Sequence, residues 1–310
     1  MVEISVVVPV YGCRASLAPL HQRLSAALRA ITPSYEIVLV DDCDRQGSWE
    51  VAAELARADP AVKAFRLSRN FGQHAAITAG LAQCTGRWAV VMDCDLQDPP
   101  EMIGELYRAA QAGSDVVLAR RKRKHHSAFR RLAARVYFRV LRVLAAARLD
   151  GEFGSFSIIS RKVIDAFLRF QDRDRHYLFI LHWLGFPTAT IEYEHAARHS
   201  GESAYSLDLL IRHALGGLFF QTTVLLRWIV YVGFWVSCSG FLLAAYYIYM
   251  YFARSVSPGF TSLAVLILLI GGFIIMSTGV TGLYIGKVFE QVKGRPLYVI
   301  DKSIVDGAER

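Results

Sequence analysis

The first 118 residues carry short, valine-rich apolar runs: "ISVVVPV", "EIVLVD", "VKAFRLS", "WAVVMD" and "SDVVLA". The longer segments between them, 15–30, 48–59, 73–84 and 100–112, repeat their apolar residues with helical period. Strands that are apolar on both faces must be covered on both faces. The alternation therefore predicts an α/β domain, a parallel sheet with helices on either side. Ligands of such sheets bind beyond the carboxyl ends of the strands. There the stretch "VVMDCDLQDPPE", residues 90–101, turns from apolar strand to Asp93, Asp95 and Asp98.

The last third obeys a different constraint. No charged residue lies between Trp228 and Ala253, and none between Ser255 and Gly286. Each stretch exceeds the roughly 20 residues that a membrane-crossing helix needs. The expected organisation is a domain at 1–225, a two-helix transmembrane hairpin within 226–286 (about 228–253 and 261–285), and a C-terminal tail at 287–310. Arg212 and Arg227 precede the hairpin and Lys287, Lys293, Arg295 and Lys302 follow it, against Arg254 alone in its loop. The positive-inside rule then places the domain and both termini in the cytoplasm. "EISVVVPVY" after Met1 has neither the basic region nor the cleavage site of a secretory signal.

The net charge of +8 is local. Eleven Lys or Arg and no acidic residue lie between Asp115 and Asp150, and without them the chain would carry −3. In 127–148, Arg131, Arg135, Arg139 and Arg142 form one helical stripe beside Phe129, Leu132, Val136, Val140 and Val143. That pattern, with a second segment at 206–222, predicts amphipathic helices lying in the headgroups of anionic membrane lipids, and it disfavours nucleic acid as the partner. Cys13, Cys43, Cys84, Cys94 and Cys238 show no metal-ligand spacing and are expected to be reduced, small apolar residues. The histidines, including His195, are expected to be ordinary polar residues.

Asp93 and Asp95 straddle one residue, so an extended chain would aim both to one side. Two carboxylates at a strand end repel, and a divalent cation relieves them. Oxygen ligands favour Mg²⁺ or Mn²⁺, which take their remaining ligands from water and phosphate. Asp98 precedes Pro99 and Pro100 and is expected to cap the helix that follows.

This segment resembles the metal-binding motif of family 2 glycosyltransferases with the GT-A fold, a Rossmann-like nucleotide-sugar domain. Further similarity lies in "SVVVPVYG" (5–12), "YEIVLVDDC" (35–43), "LSRNFGQHAAITAGL" (67–81), "RHSGESAYS" (198–206) and "VKGRPLY" (292–298). The branch these resemble is the polyprenyl-phosphate glycosyltransferases, which include dolichyl-phosphate mannose synthases and bacterial undecaprenyl-phosphate sugar transferases. The resemblance implies that Pro9, Tyr11, Asp41, Asp42, Arg69 and Asp93 bind a UDP- or GDP-linked sugar, and that Asp93, Asp95 and Gln97 hold the metal and the donor diphosphate. The acceptor implied is polyprenyl phosphate, the outcome inversion, and the assembly a homotetramer. A phosphate acceptor is already ionised near neutral pH, so positioning cations matter more than a base. Arg120, Arg121, Arg123 and Arg198 are the candidates. "GEFG" at 151–154 resembles the "GDYG" form of the undecaprenyl-phosphate aminoarabinose transferases, with Glu152 in place of Asp, and the resemblance makes Asp95 and Glu152 the candidate catalytic residues. Two alternatives stay open. A processive polysaccharide synthase would carry a Q-x-x-R-W motif, where this chain has "VLLRW" beginning at Val224. A catalytically silent nucleotide-binding subunit would be expected to lose Asp93 or Asp95.

Overall fold

A computed structural model describes residues 2–121, 153–173, 175–193, 224–254 and 260–309. The order is β1 (Ile4–Val10), α1 (Arg14–Arg29), β2 (Tyr35–Asp41), α2 (Ser48–Ala58), β3 (Val62–Leu67), α3 (Gln73–Gln83), β4 (Trp88–Val91), α4 (Ile103–Gln111) and β5 (Val116–Arg121). Then follow β6 (Phe153–Ser160), α5 (Arg161–Leu168), α6 (Tyr177–Leu184), β7 (Thr188–Tyr193), two long helices α7 (Val224–Arg254) and α8 (Phe260–Val292), and β8 (Ile300–Val305) with β9 (Ala308–Glu309). The predicted helices interfacial to a membrane at 127–148 and 206–222 lie outside the described residues, as do Arg123, Glu152, His195 and Arg198.

Among the described residues the strands form one sheet in the order β7-β5-β6-β4-β1-β2-β3-β8-β9. Ile4, Val6, Val8 and Val10 of β1 face Leu17, Leu20, Leu24 and Leu28 of α1, with α2 and α4 on the same layer. Val7 faces the other way, onto the layer of α3, α5 and α6. That is why β1 reads as a continuous apolar run. The sheet is mixed rather than wholly parallel, because β6 runs antiparallel between β4 and β5, and β8 antiparallel beside β3. Since β5 is antiparallel to β6 and parallel to β7, the ends of β4, β5 and β7 share one edge with the start of β6.

The segment expected as a tail at 287–310 carries regular structure. Helix α8 runs to Val292, and β8 pairs with β3 so that Ile304 sits opposite Ala64, fully buried. Without it β3 would be an open sheet edge. The chain divides into two compact units, one holding the sheet with its C-terminal strands and the other holding α7 and α8. Among the described residues, one segment, Ile270–Val292, is long and apolar enough to cross a membrane.

Cys13 and Cys94 are not reduced; they form a disulfide. Their separation of 81 residues hides that β1 and β4 are parallel neighbours, with Val7 beside Val91. The turns that leave the two strands therefore meet. Cys43 and Cys238 are partly exposed thiols, and Cys84 is a buried one. Closing a loop of this length removes freedom from the unfolded chain, worth about 2–4 kcal/mol. We expect Cys13→Ser to melt at least about 5 °C below the oxidised protein in a thermal scan, and dithiothreitol to lower the wild type to the same point.

Candidate active site

Strand β2 carries a buried carboxylate near each end, and their fates differ. Near its start, Glu36 accepts from Ser5 Oγ at 2.6 Å and pairs with Lys63 Nζ at 2.6 Å. Burial opposes its charge, but Lys63, Ser5 and the Thr85 amide together hold its carboxyl below the usual range. At the other end Asp41 is 0% exposed, and neither carboxylate oxygen has a hydrogen-bond partner. Arg66 Nε stands 3.4 Å from Oδ2 as an ion pair without hydrogen-bond geometry, and it only partly offsets the burial. Burial, with the charge of Asp44 adding to it, pushes the Asp41 carboxyl up to about 6. A buried carboxylate left without a hydrogen bond at one end of the strand makes that end the candidate site.

The loops at this edge are held by backbone hydrogen bonds. Gly12, at φ +68°, donates its N–H to Asp44 Oδ2 at 2.7 Å, which folds the turn after β1 toward that after β2. Tyr11 beside it is 59% exposed and offers a free aromatic face, while Pro9 is buried within β1. Asp42 accepts the N–H of Phe71 at 2.7 Å and of Gly72 at 2.8 Å, so it tethers the loop before α3. Burial raises its pKa and these amides oppose the rise. Arg69, exposed on the same loop, stacks on Phe71 at 4.3 Å.

The segment after β4 is a tight turn, not an extended chain. Leu96, buried, takes φ +62°, a conformation unfavourable for a side chain of that kind. Asp95 Oδ1 accepts the Gln97 N–H at 3.1 Å, closing the turn. Asp93 is partly buried and accepts from Gln73 Nε2 and Ser155 Oγ, each at 2.7 Å on Oδ1. Burial first, then the charges of Asp98 and Asp95, push its carboxyl up to about 6, against Ser155 and Arg121. Among the described residues no three His, Cys, Asp or Glu side chains are arranged to hold a cation by themselves. Crowded negative charge with few protein ligands fits a divalent ion that is completed by phosphate and water.

Asp98 is not the helix cap that its spacing suggests. Pro99 occupies that position and makes no side-chain capping bond. Asp98 is instead fully buried and accepts the Tyr193 hydroxyl, with Arg121 Nη2 at 3.7 Å. Arg120 and Arg121, adjacent in β5, project to opposite faces: Arg120 reaches Glu192 at 3.7 Å, and Arg121 reaches Tyr193. The structure thus gathers Asp93, Asp95 and Arg121 at one end of the sheet and directs Arg120 elsewhere. Gln73, Ser155, Gly154 and Tyr193 join that end without any signal in the sequence, since each is an ordinary residue brought in by strand order.

The fold is an α/β sheet with Asp93, Asp95 and Asp98 gathered beyond the end of β4, and comparison with known proteins names its family. The model for "Glycosyl transferase family 2" matches residues 5–168, just over half of the chain. An uncharacterized glycosyltransferase, YkcC of Bacillus subtilis, is 34% identical over 97% of this chain and 94% of its own. The undecaprenyl-phosphate 4-deoxy-4-formamido-L-arabinose transferase of Photorhabdus laumondii is 35% identical over 98% and 95%. The SfII prophage-derived bactoprenol glucosyl transferase of Shigella flexneri is 33% identical over 97% and 98%. Among solved structures, a glucosyl-3-phosphoglycerate synthase from Mycobacterium tuberculosis is similar with a TM-score of 0.49 and 16% identity, over 71% of this chain and 80% of that one. The chain belongs to glycosyl transferase family 2 and is a glycosyltransferase.

The pKa of Asp41 has a measurable consequence. Its folded value lies above the ordinary 3.8, so its contribution to stability is intact below pH 3.8 and lost as pH rises through about 6. A rise of about two units corresponds to about 3 kcal/mol at pH 8 and about half of that at pH 5. Asp41→Asn should melt above the wild type at pH 8, with the gap narrowing toward pH 5 when both are followed by thermal scans.

Proposed function

We propose that this glycosyltransferase moves a sugar from a nucleoside diphosphate to a polyprenyl phosphate such as undecaprenyl phosphate, at the cytoplasmic face of a membrane. The observation that carries the acceptor is the near end-to-end match to relatives named as undecaprenyl-phosphate and bactoprenol transferases, which spans 94% or more of both chains. The geometry agrees. Tyr11 offers an aromatic face to a nucleoside, Asp41 lies buried beneath it at the end of β2, and Arg69 offers a cation to its phosphates. Asp93 and Asp95 would hold Mg²⁺ or Mn²⁺, which when bound neutralises charge on the departing diphosphate.

The acceptor phosphate oxygen forms its bond to the anomeric carbon as the bond from that carbon to the donor's diphosphate breaks, with inversion. No proton need be removed, because the phosphate is ionised near neutral pH. The enzyme's task is to align two anionic groups and keep them from repelling. Arg121 stands beside the carboxylate loop and suits the acceptor phosphate bidentately.

Membrane attachment rests on α7 and α8 as a two-helix hairpin. The chain leaves the sheet after β7 and re-enters it at β8 beside β3, which supports an even number of crossings between them. The expected homotetramer is part of the same proposal.

The test uses full-length protein in detergent with undecaprenyl phosphate, Mg²⁺ or Mn²⁺, and a panel of UDP- and GDP-sugars. Metal- and lipid-dependent release of nucleoside diphosphate, with a sugar-linked lipid in the mass spectrum, is expected for one donor. Transfer to water or to a soluble sugar alone would refute the proposed acceptor. Asp93→Asn should lower kcat/KM at least about 100-fold, the scale of losing a principal electrostatic partner of the transition state.

A further inference from the structure

Asp98 and Tyr193 are unused by the reaction as described, yet they are among the most completely buried polar groups near the site, at 0% and 3% exposure. Strands β5 and β7 are parallel, and their register sets Arg121 directly beside Tyr193. The Tyr193 ring is fixed in the core by an edge-on contact with Phe156, centroids 5.6 Å apart. Its hydroxyl donates to Asp98 Oδ1 and accepts from Arg121 Nε at 3.1 Å.

The guanidinium is held on a second side as well. A Cβ built on Gly154 would lie 2.8 Å from Arg121 Nη2, 3.2 Å from Cζ and 3.3 Å from Nε. The guanidinium therefore rests against bare backbone, where a side chain would push it aside. Tyr193 takes the Nε–H, Asp98 balances the charge, and Gly154 fixes the plane. The terminal amino groups are left to form a fork, the geometry that reads phosphate. Arg120 is directed elsewhere, 3.7 Å from the exposed Glu192 and 5.9 Å from the centre of the Phe153 ring.

Resting on the polyprenyl-phosphate reading above, we propose that Tyr193 and Asp98 are positioning residues for the acceptor. They aim Arg121 across Gly154 at the acceptor phosphate beside the Asp93 loop, and they touch neither substrate. Were they only structural, their loss would weaken every substrate alike or none.

The experiment is a double-mutant cycle on the full-length enzyme, with undecaprenyl phosphate and the nucleotide sugar that the wild type turns over. Tyr193→Phe removes the hydroxyl and keeps the ring. It should raise KM for undecaprenyl phosphate about tenfold, leave KM for the nucleotide sugar within about twofold, and add nothing to the loss already caused by Arg121→Ala. Gly154→Ala displaces the guanidinium without touching Tyr193 or Asp98 and should show the same split. It carries the test alone if Tyr193→Phe fails to fold by circular dichroism. An equal rise in both KM values, no rise, or losses that add to those of Arg121→Ala would overturn the proposal while the wild type stays active. A wild type that transfers no sugar to the lipid would instead refute the reading beneath it, and this proposal with it.

Discussion

Negative charge held out of water at the ends of β2 and β4 is the constraint on which the rest depends. Asp41 is fully buried without a hydrogen bond, and Asp93 is crowded by Asp95 and Asp98. A fold tolerates such groups only when something outside the chain completes them or when their cost is spread over a stable core. The contrast with Glu36, satisfied on the same strand, shows that this sheet can pair a buried carboxylate when function does not ask otherwise. Stability is given up at one edge, the edge where the proposed function places the substrates.

The core makes this affordable. Two apolar layers enclose β1 on both faces, and the turns beyond the strands are fastened by backbone donors rather than by long side chains. Asp42 and Asp44 each spend their carboxylates on loop amides. The groups meant for ligands are thereby mounted on short, tethered turns, which limits the reorganisation that binding requires. The disulfide between Cys13 and Cys94 fastens the two turns that carry Tyr11 and the acidic pair.

Much of this was legible in the residues. Valine runs and helical periods located β1 to β5 and α1 to α4 to within a few residues, because each segment's burial is recorded in its own composition. The carboxylates at the end of β4 were legible for the same reason. What escaped was set by strand order. Asp98 and Tyr193 are 95 residues apart, and Cys13 and Cys94 are 81 apart. No local pattern says that β6 inserts between β4 and β5, or that residues after α8 return to cover β3. Asp98 read as a helix cap because a proline pair follows it, and tertiary contact overrode that local preference.

The central claim is that the acidic cluster binds a nucleoside diphosphate only through a divalent cation. Calorimetric titration of UDP and GDP into the purified enzyme, with Mn²⁺ and after chelation, tests it most directly. The account predicts that one nucleotide binds at least about tenfold more tightly with the metal, and that Asp93→Asn abolishes the difference. Equal affinity with and without metal in the wild type would contradict it.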